Sequence, residues 1–352
     1  MSQTAAFRDI SDHLVAVRDF VGETAAMDGT ILVTGAGIDM SLLESLREHG
    51  LRIPDRPIQP LTEEELIRGL RGAVAYVHGG EERATAGVLA SARETLKVVA
   101  FLGVGYENFV DVAAADGLGI VVTSTPGAAT DSVTELTIGQ IINANRHIGQ
   151  FLGDRYPGWR SPEELPHELR SRRVGIVGLG ANGTRIAEVL RAFHTDVAYF
   201  SRTRKPDVEE RLGLSYLPLP ELAGRSDILV VMVPCTAETR FMIDVDVLKR
   251  LRPGAVLINT ARPAVVDPHA LHEAMSAERV GMAVFDGFYD RNSEIAAKLL
   301  SDFGDRLLVT GHIASHTREA MDRMVSQAVG SIKNVLSTGA DEYAVGKHGG
   351  IS

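Results

Sequence analysis

The stretch VGIVGLGANGTRIAEVLRAF, residues 174–193, decides the fold. Val174 to Val177 read as a short strand apolar on both faces, the pattern of a parallel sheet covered on each side. Gly178, Gly180 and Gly183 follow as G-x-G-x-x-G, and a helical pattern opens directly behind them. Each glycine has its own reason: the first permits the tight turn, the second lets a pyrophosphate approach the backbone, and the third lets helix and strand pack closely. The N–H groups of Ala181 and Asn182, at the start of the helix, are then set to receive phosphate oxygens with the helix dipole behind them. This combination predicts a dinucleotide-binding unit.

Downstream the rhythm of strand and helix continues, with strands legible at DVAYF (196–200), DILVVMV (227–233), AVLINT (255–260), MAVFD (282–286) and LLVTG (307–311). The tip of the strand after the glycine turn normally decides which ribose is accepted, through a carboxylate that binds the free hydroxyl. Here that tip reads Ser201-Arg202-Thr203-Arg204-Lys205 and carries no carboxylate. Guanidinium and hydroxyl groups at this point suit a ribose 2′-phosphate, so NADP(H) is expected to be preferred, with NAD(H) possible.

Upstream a second series appears: ILVTG (31–35), a helical stretch from Ser41 to His49, LTEEELIRGLRG (61–72), AVAYV (73–77), LKVVAFLG (96–103), DVAAADG (111–117) and GIVVTSTPG (119–127). A long helix follows, for which Asp131 or Ser132 is the expected N-cap. A last amphipathic helix is expected from Arg318 to Leu336, with Met321, Met324, Val325, Ala328, Val329, Ile332 and Val335 on its apolar face. Before the first strand, Phe7, Ile10, Leu14, Val17 and Val21 mark a further amphipathic helix. The fold class is therefore α/β, with two units of doubly wound parallel sheet, the second Rossmann-like and inserted in the first if the last helix folds back onto the N-terminal one. The expected boundaries are 1–124 and 316–352 for the first unit and 125–315 for the cofactor domain.

A chain of 352 residues is longer than one core usually serves, and 45% hydrophobic with 23% charged residues is an ordinary globular balance. The net charge of −10 leaves no basic excess to track a phosphate backbone, so no nucleic-acid partner is expected. Cys235 stands alone, which excludes an internal disulfide and a thiolate metal cluster and points to a reducing compartment, the cytoplasm. With no basic and apolar leader at the N-terminus and no long apolar run, neither export nor a membrane partner is expected.

Four segments carry a resemblance to a known family: FLGVGYENFVD (101–111), VTSTPGAATDSVTEL (122–136), VGIVGLGANG (174–183) and LINTARPAVVDPHAL (257–271), with VTGHIASHT (309–317) as a weaker fifth. Together they resemble the D-2-hydroxyacid dehydrogenases, in particular the glyoxylate and hydroxypyruvate reductase branch. The resemblance implies hydride exchange between NAD(P)H and a small 2-oxoacid, a homodimer, and a cofactor domain inserted into a flavodoxin-like substrate domain. It implies that Arg262 holds and polarises the substrate and that His312 is the acid/base, jobs suited to a planar guanidinium and to an imidazole. Gly103, Val104 and Gly105 correspond to the loop whose backbone N–H groups receive the substrate carboxylate, and His78 is expected to line the pocket beside it. Thr130, Val233, Pro234, Thr236, Thr260 and Asp286 fall at cofactor-lining positions, Asp286 being placed to bind the carboxamide. No metal is implied.

The chain also departs from the family pattern. Arg291 stands where a glutamate paired with the histidine is usual, Pro263 and Gly311 replace a glycine and a proline, and Glu107 replaces an aspartate. A nearby carboxylate, Asp290 first and Glu294 next, is expected to take the missing glutamate's place beside His312. The same scaffold also admits two other readings: dehydrogenation of a small oxyanion such as formate or phosphite, and dinucleotide sensing without catalysis.

Overall fold

The computed structural model describes residues 29–55, 59–149, 165–290 and 292–348. Both the amphipathic pattern of residues 7–21 and Arg291 lie outside them. The chain divides into two compact units, one running to Thr125 and resuming at Val325, the other covering Pro126–Met324.

The strands of the first unit are β1 (Thr30–Thr34), β2 (Leu51–Arg52), β3 (Ala73–His78), β4 (Val98–Phe101), β5 (Val121–Thr123) and, from the chain's end, β13 (Ala344–Val345). Their order is β13-β5-β4-β3-β1-β2, parallel except for β13. Read from β2, this is the flavodoxin-like order, which reverses direction between β1 and β3. Side chains alternate between two cores: Leu32, Tyr76, Val99 and Val122 face one, and Ile31, Val33, Ala75, Val77 and Val98 face the other. Val325, Ala328, Val329, Ile332 and Val335 of the helix Arg318–Thr338 close the second of these cores. The expected helix at 41–49 is instead a 3-10 segment, Met40–His49.

The second unit holds β6 (Arg173–Val177), β7 (Asp196–Phe200), β8 (Ser215–Tyr216), β9 (Ile228–Val231), β10 (Ala255–Asn259), β11 (Val280–Asp286) and β12 (Leu307–Thr310). Their all-parallel order, β12-β11-β10-β9-β6-β7-β8, is the dinucleotide-binding order with its reversal at β6 and β9. Here too neighbouring residues part to opposite faces: Val177, Leu229, Leu257 and Phe285 pack in one core, and Ile176, Val230, Ile258 and Val284 in the other. The strands therefore needed uninterrupted apolar runs rather than alternation.

The helix Thr130–Arg146 begins one residue before the expected cap, with Ala129 at the N-cap and no side-chain capping bond. The two residues expected to cap it are engaged elsewhere. Asp131 pairs with Arg185 at 3.1 Å, and the Ser132 hydroxyl donates to the carbonyl of Ala314 at 2.6 Å.

Candidate active site

In open α/β sheets ligands gather at the carboxyl ends of the strands, beside the point where strand order reverses. In the second unit, the loops after β6, β7, β9, β10, β11 and β12 bring almost all the residues singled out above to that edge.

The glycine turn after β6 is shaped by its surroundings. Gly178 has φ +103°, and a Cβ there would stand 2.7 Å from the carbonyl oxygen of Met232. A Cβ on Gly183 would come within 2.0 Å of the carbonyl oxygen of Gly178. Packing therefore demands both outer glycines. The middle one, Gly180, is exposed and would meet nothing within 4 Å, so the open side of the turn is where a ligand can approach the backbone. Gly180 caps the helix Ala181–Ala192 without a side-chain bond, leaving the amides of the first turn to a ligand. Thr130 donates its hydroxyl to Oδ1 of Asn182 at 3.0 Å, tying the long helix to this turn. These groups fit a dinucleotide pyrophosphate.

After β7, Ser201 donates to the carbonyl of Thr203, which curls the basic turn, and Arg202, Thr203 and Arg204 are exposed. Arg204 is committed to Glu209 through two nitrogens, Nε at 2.8 Å and Nη2 at 2.7 Å. The Tyr199 hydroxyl also donates to Glu209, and its carboxyl is held at about 2, chiefly by the Arg204 bonds and then by Tyr199. Arg202 makes a single contact to Glu238, at 3.3 Å, in the loop after β9. That loop carries Val233, Pro234 and Thr236 and is closed by the Thr239 hydroxyl, which receives the amide of Thr236 and donates to the carbonyl of Pro234. Cys235 is half-buried and packs against the apolar core.

After β10, Arg262 is fixed through its backbone. The buried Asn259 donates Nδ2 to the carbonyl of Arg262 at 2.9 Å and accepts from the amide of Ala261 at 3.1 Å. Thr260, beside it, shares a 2.7 Å hydroxyl contact with Thr137. The Arg262 guanidinium donates from Nη1 to the carbonyl of Ala261 and faces Nε2 of His312 at 3.4 Å.

His312 has φ +59°, a left-handed conformation that a residue with a Cβ adopts only when its neighbours enforce it. Asp286, at the end of β11 and 2% exposed, supplies the enforcement. Its carboxylate accepts from the Thr310 hydroxyl at 2.6 Å, from the amide of Ile313 at 2.9 Å and from the amide of Ala314 at 2.8 Å. Gly287 lies against the histidine, since a Cβ there would be 3.6 Å from the His312 Cβ. Sequence reasoning placed Asp286 at the cofactor but missed its hold on the histidine loop, and it missed Asn259 altogether. The only signal for either was a polar residue at the carboxyl end of an apolar strand.

Of the two carboxylates expected beside His312, Asp290 is exposed and its Oδ1 accepts the amide of Asn292 at 2.9 Å, while Glu294 is exposed in the first turn of the helix Glu294–Phe303.

In the first unit, Gly103 (φ +139°), Val104 and Gly105 follow β4, and the Gly103 amide donates to the Thr125 hydroxyl at 2.8 Å. Val104 is 53% exposed. His78, expected to line the pocket, is corrected: it is fully buried. Its ring stacks on Tyr76 with centroids 4.9 Å apart and meets Phe101 and Phe109 edge-on. The strand that carries it runs between two apolar cores, so a polar residue at its end is buried on either face.

A dinucleotide-order sheet, an open glycine turn and an arginine facing a strained histidine at the same edge define a nicotinamide-dependent oxidoreductase. Residues 138–314 match the family model described as "D-isomer specific 2-hydroxyacid dehydrogenase, NAD binding domain". A glyoxylate reductase of Aeropyrum pernix is 35% identical over 279 residues, covering 77% of this chain and 82% of that protein. The structure of an NADPH-dependent glyoxylate/hydroxypyruvate reductase from Sinorhizobium meliloti, in complex with NADP and malonate, matches with a TM-score of 0.74 and 31% identity over 91% of this chain and 97% of that one. That of D-lactate dehydrogenase from Aquifex aeolicus, complexed with NAD and lactic acid, matches with a TM-score of 0.75 and 25% identity over 88% and 95%. The chain belongs to the D-isomer-specific 2-hydroxyacid dehydrogenase family.

Proposed function

We propose that this protein reduces small 2-oxoacids of the glyoxylate and hydroxypyruvate type to the corresponding 2-hydroxyacids, with NADPH preferred over NADH. The observation that carries the reading is the 3.4 Å approach of Arg262 Nη1 to His312 Nε2 in the unit that holds the glycine turn. A bound reduced nicotinamide supplies the hydride that adds to the carbonyl carbon. The chain's own residues do the rest. Arg262, held by Asn259, binds the substrate and stabilises the negative charge that develops on the carbonyl oxygen. His312 donates a proton from Nε2 to that oxygen, so that hydride and proton together complete the hydroxyl. In the first unit, the backbone amides of Val104 and Gly105 are the proposed receptors for a carboxylate, the Gly103 amide already donating to the Thr125 hydroxyl.

The carboxylates Asp290 and Glu294 remain the proposed partners of the charged histidine. The NADPH preference rests on Arg202 and the hydroxyls of Ser201 and Thr203 where a carboxylate would repel a 2′-phosphate. The relatives include one complexed with NADP and one with NAD. A homodimer and a cytoplasmic location complete the proposal. Among the described residues no helix is long and apolar enough to cross a membrane.

The test is NADPH and NADH oxidation with glyoxylate, hydroxypyruvate and pyruvate, together with the reverse reaction on formate and phosphite. Turnover of the 2-oxoacids is expected. Turnover of formate or phosphite alone, or cofactor binding with no turnover, would overturn the reading.

A further inference from the structure

Two loops flank the carboxyl end of β6, because β7 and β9 are its neighbours on either side. Arg202 stands just past β7 and Glu238 in the loop after β9, and their side chains meet across the end of β6 with Nη1 3.3 Å from Oε2. The adenosine ribose of a dinucleotide is read at the tip of β7, so this ion pair lies at the ribose end of the groove.

The two arginines of the basic turn differ in how freely they can change partners. Arg204 gives two nitrogens to Glu209, which is 11% exposed at its side chain, and its guanidinium stands 5.8 Å from the Tyr216 ring centre. Arg202 and Glu238 are 83% and 73% exposed at their side chains and share one contact. An ion pair so open to water is weak, and a phosphate dianion competes well for a guanidinium.

We propose that Glu238 is a determinant of cofactor choice that acts against NADPH. This rests on the reading of Arg202 as the 2′-phosphate ligand. When the ribose carries a 2′-phosphate, Arg202 turns to it and Glu238 is left with its charge beside a dianion. When the ribose carries a hydroxyl, the ion pair stays intact and the carboxylate is an acceptor for that hydroxyl. One carboxylate therefore penalises the phosphorylated cofactor twice, by holding the arginine and by repelling the phosphate. The preference of the enzyme is the balance of Arg202 against Glu238. A glycine turn and a basic segment do not reveal this, because Glu238 lies 36 positions away in the chain.

The measurement is calorimetric binding of NADP+ and NAD+ to the full chain, for wild type and Glu238→Gln, at low and high salt. Glutamine keeps the size of the side chain and removes its charge. The NADP+ to NAD+ affinity ratio is expected to rise by about three- to tenfold at low salt, with a smaller rise at high salt as the charges are screened. The ratio of kcat/KM for NADPH and NADH should move in the same direction. An unchanged ratio at low salt, or an equal shift for both cofactors, would overturn the proposal. Arg202→Ala separates the two ideas. A ratio that falls in Arg202→Ala supports the phosphate grip, whatever Glu238→Gln does. A ratio that rises in Glu238→Gln with no effect of Arg202→Ala leaves the repulsion standing and removes the grip.

Discussion

The guanidinium of Arg262 and the imidazole of His312, 50 positions apart in sequence, face each other with Nη1 3.4 Å from Nε2. A neutral imidazole can accept from the arginine in this arrangement, whereas a charged one places two cations side by side. A carbonyl oxygen bound between them would receive both as donors, which relieves the conflict and gives the proton its destination.

Arg262→Ala and His312→Ala are each expected to lower kcat/KM by about 10²–10⁴-fold while the dissociation constant for NADP+ stays within a few-fold of wild type. Steady-state kinetics and calorimetry on the same preparations check this. Turnover near wild type in either variant would remove that residue from the chemistry.

Asp286 holds the His312 loop through Thr310, Ile313 and Ala314, so its effect is one of positioning. Asp286→Ala leaves two amides and a hydroxyl without their acceptor and is expected to lower stability by about 1–3 kcal/mol and kcat by more than tenfold. Asp286→Asn keeps one carbonyl oxygen and should restore part of kcat. Urea melts and a split of kcat from KM distinguish the two variants, and an Asp286→Ala enzyme with normal kcat would refute the role.

For the departure at residue 291, Asp290→Asn is expected to shift the pH profile of reduction toward acid, because a carboxylate near the histidine stabilises its charged form. The pH dependence of kcat/KM for the oxoacid is the readout. An unchanged profile in both Asp290→Asn and Glu294→Gln would assign neither residue to the histidine.

Gly183→Ala places a methyl group 2.0 Å from the carbonyl oxygen of Gly178. The turn must deform, at a cost of about 1–3 kcal/mol in stability, and cofactor affinity should fall at least tenfold. Gly180→Ala, where the methyl group meets no protein atom, should fold normally and lose affinity only through the approaching phosphate. Thermal melts with and without NADP+ separate the two.

His78 gives a stability prediction in the acid range. Burial lowers it from the ordinary histidine value to about 4, against an opposing pull from Glu82. Its folded-state value lies below the unfolded one, so the unfolded chain binds the extra proton first. The stability it supports is complete above about 6.5 and is lost as the pH falls toward 4. His78→Phe should therefore flatten the loss of stability across that window in urea titrations. An unaltered slope would show that other groups dominate acid unfolding.

The dinucleotide unit is legible because its signals are local. A strand covered on both faces must be apolar throughout, and Gly183 answers a contact with the carbonyl of Gly178 that arises within one strand-turn-helix piece. Arg262 and His312 are legible for a different reason: each follows a strand end and sits in a motif that resembles a known family. His78 was misplaced because its strand is covered on both faces, so that a polar residue at its end is buried whichever face it takes.

The residues along the chain thus determined which strands form, that two doubly wound sheets result, and which loops carry the chemistry, since hydrophobic period and glycine spacing act over a few positions. Tertiary structure alone decided which side chains restrain one another. Asn259 holding Arg262 is within reach of a careful reading, but Asp286 beneath the His312 loop and Glu238 across from Arg202 join residues 27 and 36 positions apart. The physical reason is that a hydrogen bond or ion pair forms where strand order brings loop ends together, and strand order is set by the packing of whole sheets rather than by any neighbouring stretch of chain.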